Sequence, residues 1–249
     1  MATAVVEIAT NTRQPSFANK VLLAKTKLGL RECVRESPLF SGVSASEHFE
    51  IASIARELCY SAAETIFLQN DPVRRVFVVA EGVVKLTQIT EVGKEILLRL
   101  EDRGGLLDDV TGSGLTHPIT ARALQDCRLL VWDAATFEGL TRGIERIHHN
   151  TIAIMRSRLK MLQERFCDVA TRPVPQRLAR LMIRLSVKAP GSIVPIELSR
   201  EELAQMAGTS LFTVSRLLCA WADLEIVTVE RKAVMIEDLP RLLELTEAG

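Results

Sequence analysis

Residues 199–221 read SREELAQMAGTSLFTVSRLLCAW, and this stretch decides the C-terminal part of the fold. Ser199 followed three residues later by Glu202 is a capping-box spacing, in which each side chain satisfies the other residue's backbone N–H, so a helix starts there. Leu203, Ala204, Met206 and Ala207 supply its buried side. Gly208 follows, where a left-handed residue ends a helix without a steric penalty. Ser210 then suits the N-cap of a second helix. In that helix Val214, Leu217, Leu218 and Trp221 recur at i, i+3, i+4 and i+7, the signature of an inward face. Leu211, Phe212, Ser215 and Arg216 fall on the opposite side. Two helices joined by so short a turn form a helix-turn-helix. DNA-reading versions lay the second helix in the major groove, with its N-terminal residues at the base edges. Downstream, Ile226–Val229 and Ala233–Ile236 flank Glu230–Arg231–Lys232 and read as a two-stranded wing. The candidate DNA-contacting residues are therefore Ser199, Ser210, Leu211, Phe212, Thr213, Ser215, Arg216, Arg231 and Lys232. An ordinary helical hairpin is the plainer alternative, but it does not require both caps, the glycine and the wing.

Working towards the N-terminus, Arg172–Pro173–Val174–Pro175 breaks the chain and marks the start of a domain at 172–249, whose next helix runs from Gln176 to about Val187. Before it, residues 143–171 contain no Pro or Gly after Gly143. Ile152, Met155, Leu159, Leu162, Phe166 and Val169 alternate spacings of three and four, a heptad seam suited to a partner helix. A second stripe, Ile147, Ile154 and Met161, could cover the N-terminal domain. From Thr65 to Trp132 the period shortens. Ile66–Leu68, Val76–Val79, Val83–Leu86 and Ile96–Leu98 are short β-type runs separated by Asn70–Asp71–Pro72, Glu81–Gly82, Val92–Gly93–Lys94 and Gly104–Gly105. Such runs predict an antiparallel sandwich or barrel. From Ser37 to Leu58 short helices are expected, and residues 1–30 read as a loose tail.

The 249 residues are 47% hydrophobic and 25% charged, which fits one or two globular domains and excludes wholesale disorder. No apolar run approaches the ~20 residues that cross a bilayer, and the first residues lack a signal-peptide pattern. Five scattered cysteines without zinc spacing suit a reduced, cytoplasmic chain with no metal site. Lysine plus arginine and aspartate plus glutamate balance at 31 each. Residues 172–249 are also neutral, with ten of each sign, so affinity for a polyanion must come from where charge sits. Nothing resembling a catalytic set stands out. Gly112–Ser113–Gly114 lacks the helix or strand context of a phosphate loop, so the chain is not expected to be an enzyme.

Taken together, Glu64–Thr65–Ile66–Phe67, Asn70–Asp71–Pro72, Gly82–Val83–Val84–Lys85–Leu86, Gly93–Lys94–Glu95, Asp168 ahead of Arg172–Pro173–Val174–Pro175, and Thr213–Val214–Ser215–Arg216 resemble the cyclic-AMP receptor / fumarate–nitrate reductase regulator (CRP/FNR) family of bacterial transcription factors. The resemblance covers about residues 37–236. It implies an α+β fold: a 31–142 antiparallel β-roll of jelly-roll type, like a cyclic-nucleotide-binding domain, joined by a long 143–171 dimerisation helix to the winged helix-turn-helix. It also implies a homodimer on palindromic double-stranded DNA, RNA polymerase as a partner, no membrane, and a β-roll that senses a signal. Arg216 matches the family's guanine-reading arginine. Phe212 stands where much of the family has glutamate, and either packs on the neighbouring helix or offers an apolar ring to a base.

The pocket departs from the cyclic-nucleotide members. The matching residues are Gly105, Asp108, Asp109, His117, Pro118 and Arg122. Asp108 and Asp109 stand where Gly and Glu are expected, and His117 where an arginine would pair the phosphate. Pro118 lacks both a hydroxyl and an N–H. Added negative charge and lost donors argue against cyclic AMP. Cys33 has no neighbouring cysteines, which argues against an iron–sulfur cluster. His117, His148 and His149 are the candidate ligands should the chain take haem, although solvated or hydrogen-bonded histidines are the plainer reading, so no cofactor is expected. Cys167, near the hinge, is either an oxidisable thiol or, more simply, a buried inert one. A competing function is a cyclic-nucleotide-type sensor or regulatory subunit acting through protein contacts, which the damaged cassette and an outward Arg216 disfavour.

Overall fold

A computed structural model describes residues 27–108, 115–189 and 192–247. The N-terminal domain is a β-roll fronted by helices. Helix α1 (Lys27–Glu36), a 3-10 turn at Pro38–Phe40 and α2 (Ala45–Ser53) precede seven strands: β1 (Arg56–Tyr60), β2 (Thr65–Phe67), β3 (Arg75–Glu81), β4 (Val84–Ile89), β5 (Glu95–Glu101), β6 (Thr120–Ala123) and β7 (Cys127–Asp133). They form two antiparallel sheets, ordered β1-β7-β3 and β2-β6-β4-β5. The first sheet is buried on both faces. Val76, Val78, Leu130 and Trp132 meet Phe40, Phe137 and Ile147 from the helices. Their alternates Phe77, Val79, Leu129 and Val131 face Leu86 and Ala121 of the second sheet. A strand covered on both faces loses its polar alternation, which is why 76–80 and 129–132 read as unbroken apolar runs. The β3–β4 hairpin turns at Gly82, where φ is +90° and a Cβ would lie 2.5 Å from the Asp126 carbonyl oxygen, so only glycine fits.

Two boundaries differ from the sequence reading. Helix α1 begins inside the stretch expected to be loose, anchored by the fully buried Cys33 and Val34. Leu58, expected on a helix, lies in β1 opposite Leu129; the helical spacing ends with α2, and sheet pairing overrides it for Leu58.

Helix α3 (Ala134–Gly143) leads into α4 (Glu145–Thr171), about 40 Å long at 1.5 Å per residue. Helix α4 stops because Arg172 precedes Pro173. A residue before proline is pushed to extended backbone, and Arg172 adopts φ −110°, ψ 143°. The C-terminal domain follows as α5 (Val174–Ser186), a β8 (Val187–Ala189) and β9 (Ser192–Ile193) ribbon, α6 (Arg200–Ala207), α7 (Leu211–Asp223), a β10 (Val227–Val229) and β11 (Val234–Ile236) wing, and α8 (Leu239–Glu244). Its core gathers Leu178, Met182, Leu203, Val214, Leu218 and Trp221.

Candidate nucleic-acid interface

The two caps predicted from sequence both form. Ser199 Oγ accepts the Glu202 N–H at 3.2 Å while Glu202 Oε2 accepts the Ser199 N–H at 2.9 Å. Gly208 ends α6 in the left-handed region, at φ 63°. Ser210 Oγ accepts the Thr213 N–H at 3.2 Å and shares a 2.9 Å hydrogen bond with Thr213 Oγ1. These bonds close the first turn of α6 and the first turn of α7. Val214, Leu218 and Trp221 turn inward and are buried. Leu211 is 49% and Phe212 76% exposed, and Arg216, one turn on from Phe212, is exposed too. Packing of Phe212 on the neighbouring helix is thus overturned: Val214 and Leu218 already fill that contact, on the far side of α7. Ser199 is committed to the α6 cap, and Ser210 and Thr213 to the α7 cap. Arg231 and Lys232 are exposed at the tip of the wing, which closes through the Glu230 N–H to the Ala233 carbonyl at 2.8 Å.

In the β-roll the structure brings together two of the expected pocket residues. His117 Nδ1 lies 2.5 Å from Asp108 Oδ2, both side chains buried, and the imidazole stacks on the Phe67 ring at 3.8 Å and 12°. Backbone bonds pin the histidine: its N–H donates to the Asp71 carbonyl and its carbonyl accepts the Asn70 N–H. Gly105 is tied to β3, its carbonyl accepting the Val79 N–H at 2.9 Å. Pro118 is exposed, and Asp109 lies outside the described residues, as does the 112–114 glycine pair. Arg122 is a correction. It alternates with Ala121 and Ala123, whose side chains enter the inter-sheet core, so it belongs to the opposite face of the second sheet, paired in register with Lys85. The two-residue period of a strand decides this.

That outer face carries a junction the sequence reading missed. Lys85 Nζ reaches Glu202 Oε1 at 2.9 Å, joining the β-roll to the first helix of the helix-turn-helix. Burial by itself would raise the Glu202 carboxyl, but hydrogen bonds from Lys85 and Ser199 together outweigh it and hold the carboxyl below its ordinary range. Arg165 on α4 donates to the carbonyls of Leu97 at 3.2 Å, Leu98 at 2.9 Å and Gln205 at 3.1 Å, so one guanidinium ties strand β5, helix α4 and helix α6. Higher on α4, Arg158 donates to Glu101 at 3.0 Å and to the Leu106 carbonyl. At the hinge, buried Asp168 faces Arg172, Arg180 and Arg184 at 3.0–3.2 Å. The signal for the α4 pair was a spacing: Thr151, Arg158 and Arg165 repeat every seven residues along the inward side.

Along the rest of α4 the second stripe divides. Ile147 is buried and Ile154 packs on the β-roll core, whereas Met161 is exposed. The heptad seam stays outward: Leu159 is 57%, Leu162 56% and Phe166 73% exposed, with Ile152 and Val169 exposed and Met155 half-buried. Cys167 is exposed rather than buried, because it follows Phe166 on the outward side of the helix. His148 and His149 are exposed near the start of α4. Among the described residues no three His, Cys, Asp or Glu side chains converge as metal ligands, and no helix is long and apolar enough to cross a membrane.

Comparisons with known proteins match both halves. Residues 57–143 match the cyclic nucleotide-binding domain and residues 176–245 the Crp-like helix-turn-helix domain. The chain is 29% identical over 214 residues to a cyclic AMP receptor protein of Thermus thermophilus, covering 83% of this chain and 98% of that protein. It is 26% identical over 190 residues to a global nitrogen regulator of Synechocystis, covering 72% and 83%. The fold is that of FixK2 from Bradyrhizobium japonicum, with a TM-score of 0.68 at 19% identity over 79% of this chain and 99% of that one. A nucleotide-binding-type β-roll, a long connecting helix and a capped, winged helix-turn-helix, matched in both domains, place this chain in the CRP/FNR family of transcriptional regulators.

Proposed function

We propose that the chain acts as a homodimer that binds palindromic operators sequence-specifically and whose β-roll does not respond to cyclic AMP. It works in the cytoplasm alongside RNA polymerase, as the family resemblance implies, and it performs no catalysis. The observation that carries DNA reading is the α7 face, where Arg216 and the first-turn side chains stand in solvent above a helix whose other side is buried. The exposed seam of α4 supports the dimer, since Leu159, Leu162 and Phe166 form a contiguous apolar row of the kind that marks an interface. The Asp108–His117 pair supports indifference to cyclic AMP. A cyclic phosphate entering there would face the Asp108 carboxyl, and the imidazole beside it is already bonded to that carboxyl. The reading includes neither haem nor an iron–sulfur cluster, in line with the isolated Cys33 and the exposed His148 and His149.

Fluorescence polarisation on duplexes selected from randomised DNA tests the reading. Arg216→Ala is expected to cost about 1–3 kcal/mol and to relax preference at one guanine per half-site. Equal weakening on every sequence would make Arg216 a phosphate contact instead. Calorimetric titration with cyclic AMP should give no binding, and micromolar affinity would overturn that part of the proposal.

A further inference from the structure

We infer that Leu211 and Phe212 make α7 a reader of pyrimidine C5-methyl groups: it takes thymine next to the guanine read by Arg216, discriminates against uracil, and prefers 5-methylcytosine to unmethylated cytosine. The inference rests on the DNA-binding reading above and specifies what that face recognises.

The argument begins with what the first turn of α7 can offer a base. Four of its residues carry side chains that could reach forward. Ser210 and Thr213 hydroxyls are bonded to each other, and Ser210 also holds the Thr213 N–H. Their polar atoms are committed to the cap. Leu211 and Phe212 remain, with 49% and 76% of their surface in solvent. Neither accepts or donates a hydrogen bond, so neither can pair with the N4 amino group of cytosine or the N6 amino group of adenine. In the major groove the one base-edge feature that an apolar side chain complements is the C5-methyl of thymine. Cytosine lacks that methyl and adds an amino group, which an apolar ring would desolvate without return.

The second observation is spatial. Phe212 and Arg216 are four residues apart, so they share a face and stand about 6 Å apart along the helix axis. Base pairs stack every ~3.4 Å. A ring at Phe212 therefore meets a pyrimidine within about two base pairs of the guanine that Arg216 contacts. Leu211, displaced by about 100° around the helix, faces a neighbouring step. The C-terminal domain is neutral overall, with ten cationic and ten anionic side chains from 172 onward. Phosphate attraction is correspondingly modest, which raises the share of recognition carried by these two apolar side chains.

The test uses the full-length protein. Binding sites are selected from randomised duplex DNA, and each thymine of the enriched sequence is then replaced by uracil, which removes the C5-methyl and nothing else. Burying one methyl is worth roughly 0.8 kcal/mol, or about fourfold in affinity. At one thymine beside the guanine, uracil in a single half-site should weaken binding about fourfold, and uracil in both half-sites roughly fifteenfold. Phe212→Ala should bind thymine and uracil duplexes alike at that position, with Leu211→Ala doing the same at the adjacent one. Both side chains are exposed, so the variants should retain the parent's circular dichroism and melting temperature. At the same position 5-methylcytosine should bind more tightly than cytosine. The inference is overturned if uracil is tolerated at every thymine, if Phe212→Ala keeps the full uracil effect, or if methylated and unmethylated cytosine bind equally. A selection that enriches no sequence overturns sequence-specific binding itself, whereas a selection that succeeds with duplexes indifferent to uracil overturns only the methyl reading.

Discussion

The β-roll and α7 keep their unusual residues in opposite surroundings. The β-roll buries a carboxylate and an imidazole against each other, stacked on Phe67. Helix α7 exposes a leucine and a phenylalanine. A buried polar group is costly unless hydrogen-bonded, and Asp108 with His117 meets that condition inside the chain. Exposed apolar surface has no such internal answer, and neither does the outward row of α4. The difference teaches where this regulator is complete and where it is not. The β-roll core meets its buried carboxyl with its own imidazole, while among the described residues the apolar rows of α4 and α7 stand uncovered.

The largest expected effect lies on the incomplete side. Leu159→Asp with Leu162→Asp places like charges in the α4 seam of both protomers of the proposed dimer, at a cost of several kcal/mol to association. Sedimentation should show a dimer for the parent and a folded monomer for the variant. A dimer of unchanged stability would remove α4 from the set of surfaces awaiting a partner.

The self-complete side is tested next. Asp108→Ala takes from buried His117 the carboxyl it bonds, and His117→Ala takes from Asp108 its buried imidazole. Each should cost about 3 kcal/mol in denaturant unfolding. Asp108→Leu combined with His117→Phe should cost less than either, since removing both partners of a buried pair is cheaper than stranding one. Additive losses would mean that the two side chains act independently, and the β-roll would then not satisfy this pair from within.

How much of this was legible in the sequence follows the same division. The C-terminal domain was, because caps, glycine and helical period are local signals: Ser199, Gly208, Ser210 and the Val214–Trp221 face all stand as the spacing requires. The strands were legible as apolar runs, but β1 was not, since Leu58 continued a helical spacing that pairing with β7 overrode. The burial of Asp108 with His117 was visible only as a departure from the family cassette. The pairing itself depends on a fold that brings residues nine apart to one point between the sheets. The junction of Lys85 with Glu202 was invisible, as it spans 117 positions of sequence and neither residue type announces a partner.

That junction is the border between the two regions and carries an intermediate effect. Lys85→Ala should loosen the DNA-binding domain by about 1 kcal/mol, the scale of one partly screened charged hydrogen bond. The pH dependence has a definite sign. The Glu202 carboxyl is held below its unfolded value, so the stabilisation is fully present above the ordinary carboxylate range and is lost as pH falls through the depressed folded value. Amide protection factors in α6 should therefore fall on acidification in the parent, and be already low and less pH-sensitive in Lys85→Ala. Equal acid sensitivity in the two proteins would assign the effect to another carboxylate.

The smallest effect sharpens the rule for the β-roll core by testing an exception to it. Tyr60, on β1, is 6% exposed, and its hydroxyl has no hydrogen-bond partner among the described residues. Burial pushes the phenol up to about 12, with Arg75 opposing and Glu64 reinforcing the shift. A raised folded value means that the neutral phenol is favoured in the native state. Stability is thus unaffected below the unfolded value of about 10 and falls as pH rises from there through the folded value. Tyr60 is the only tyrosine in the chain, so phenolate absorbance reports on it alone: the native protein should show a midpoint near 12 and the unfolded chain one near ~10. Tyr60→Phe removes a hydroxyl that gains nothing from burial, and should leave neutral-pH stability unchanged or raise it by up to about 1 kcal/mol. It should also abolish that residue's share of the alkaline loss. A native midpoint near 10, or a loss of stability in Tyr60→Phe, would reveal a satisfied hydroxyl. Asp108 and His117 would then be one case of a β-roll core that pairs all its polar groups, rather than a pair set apart from an unmatched neighbour.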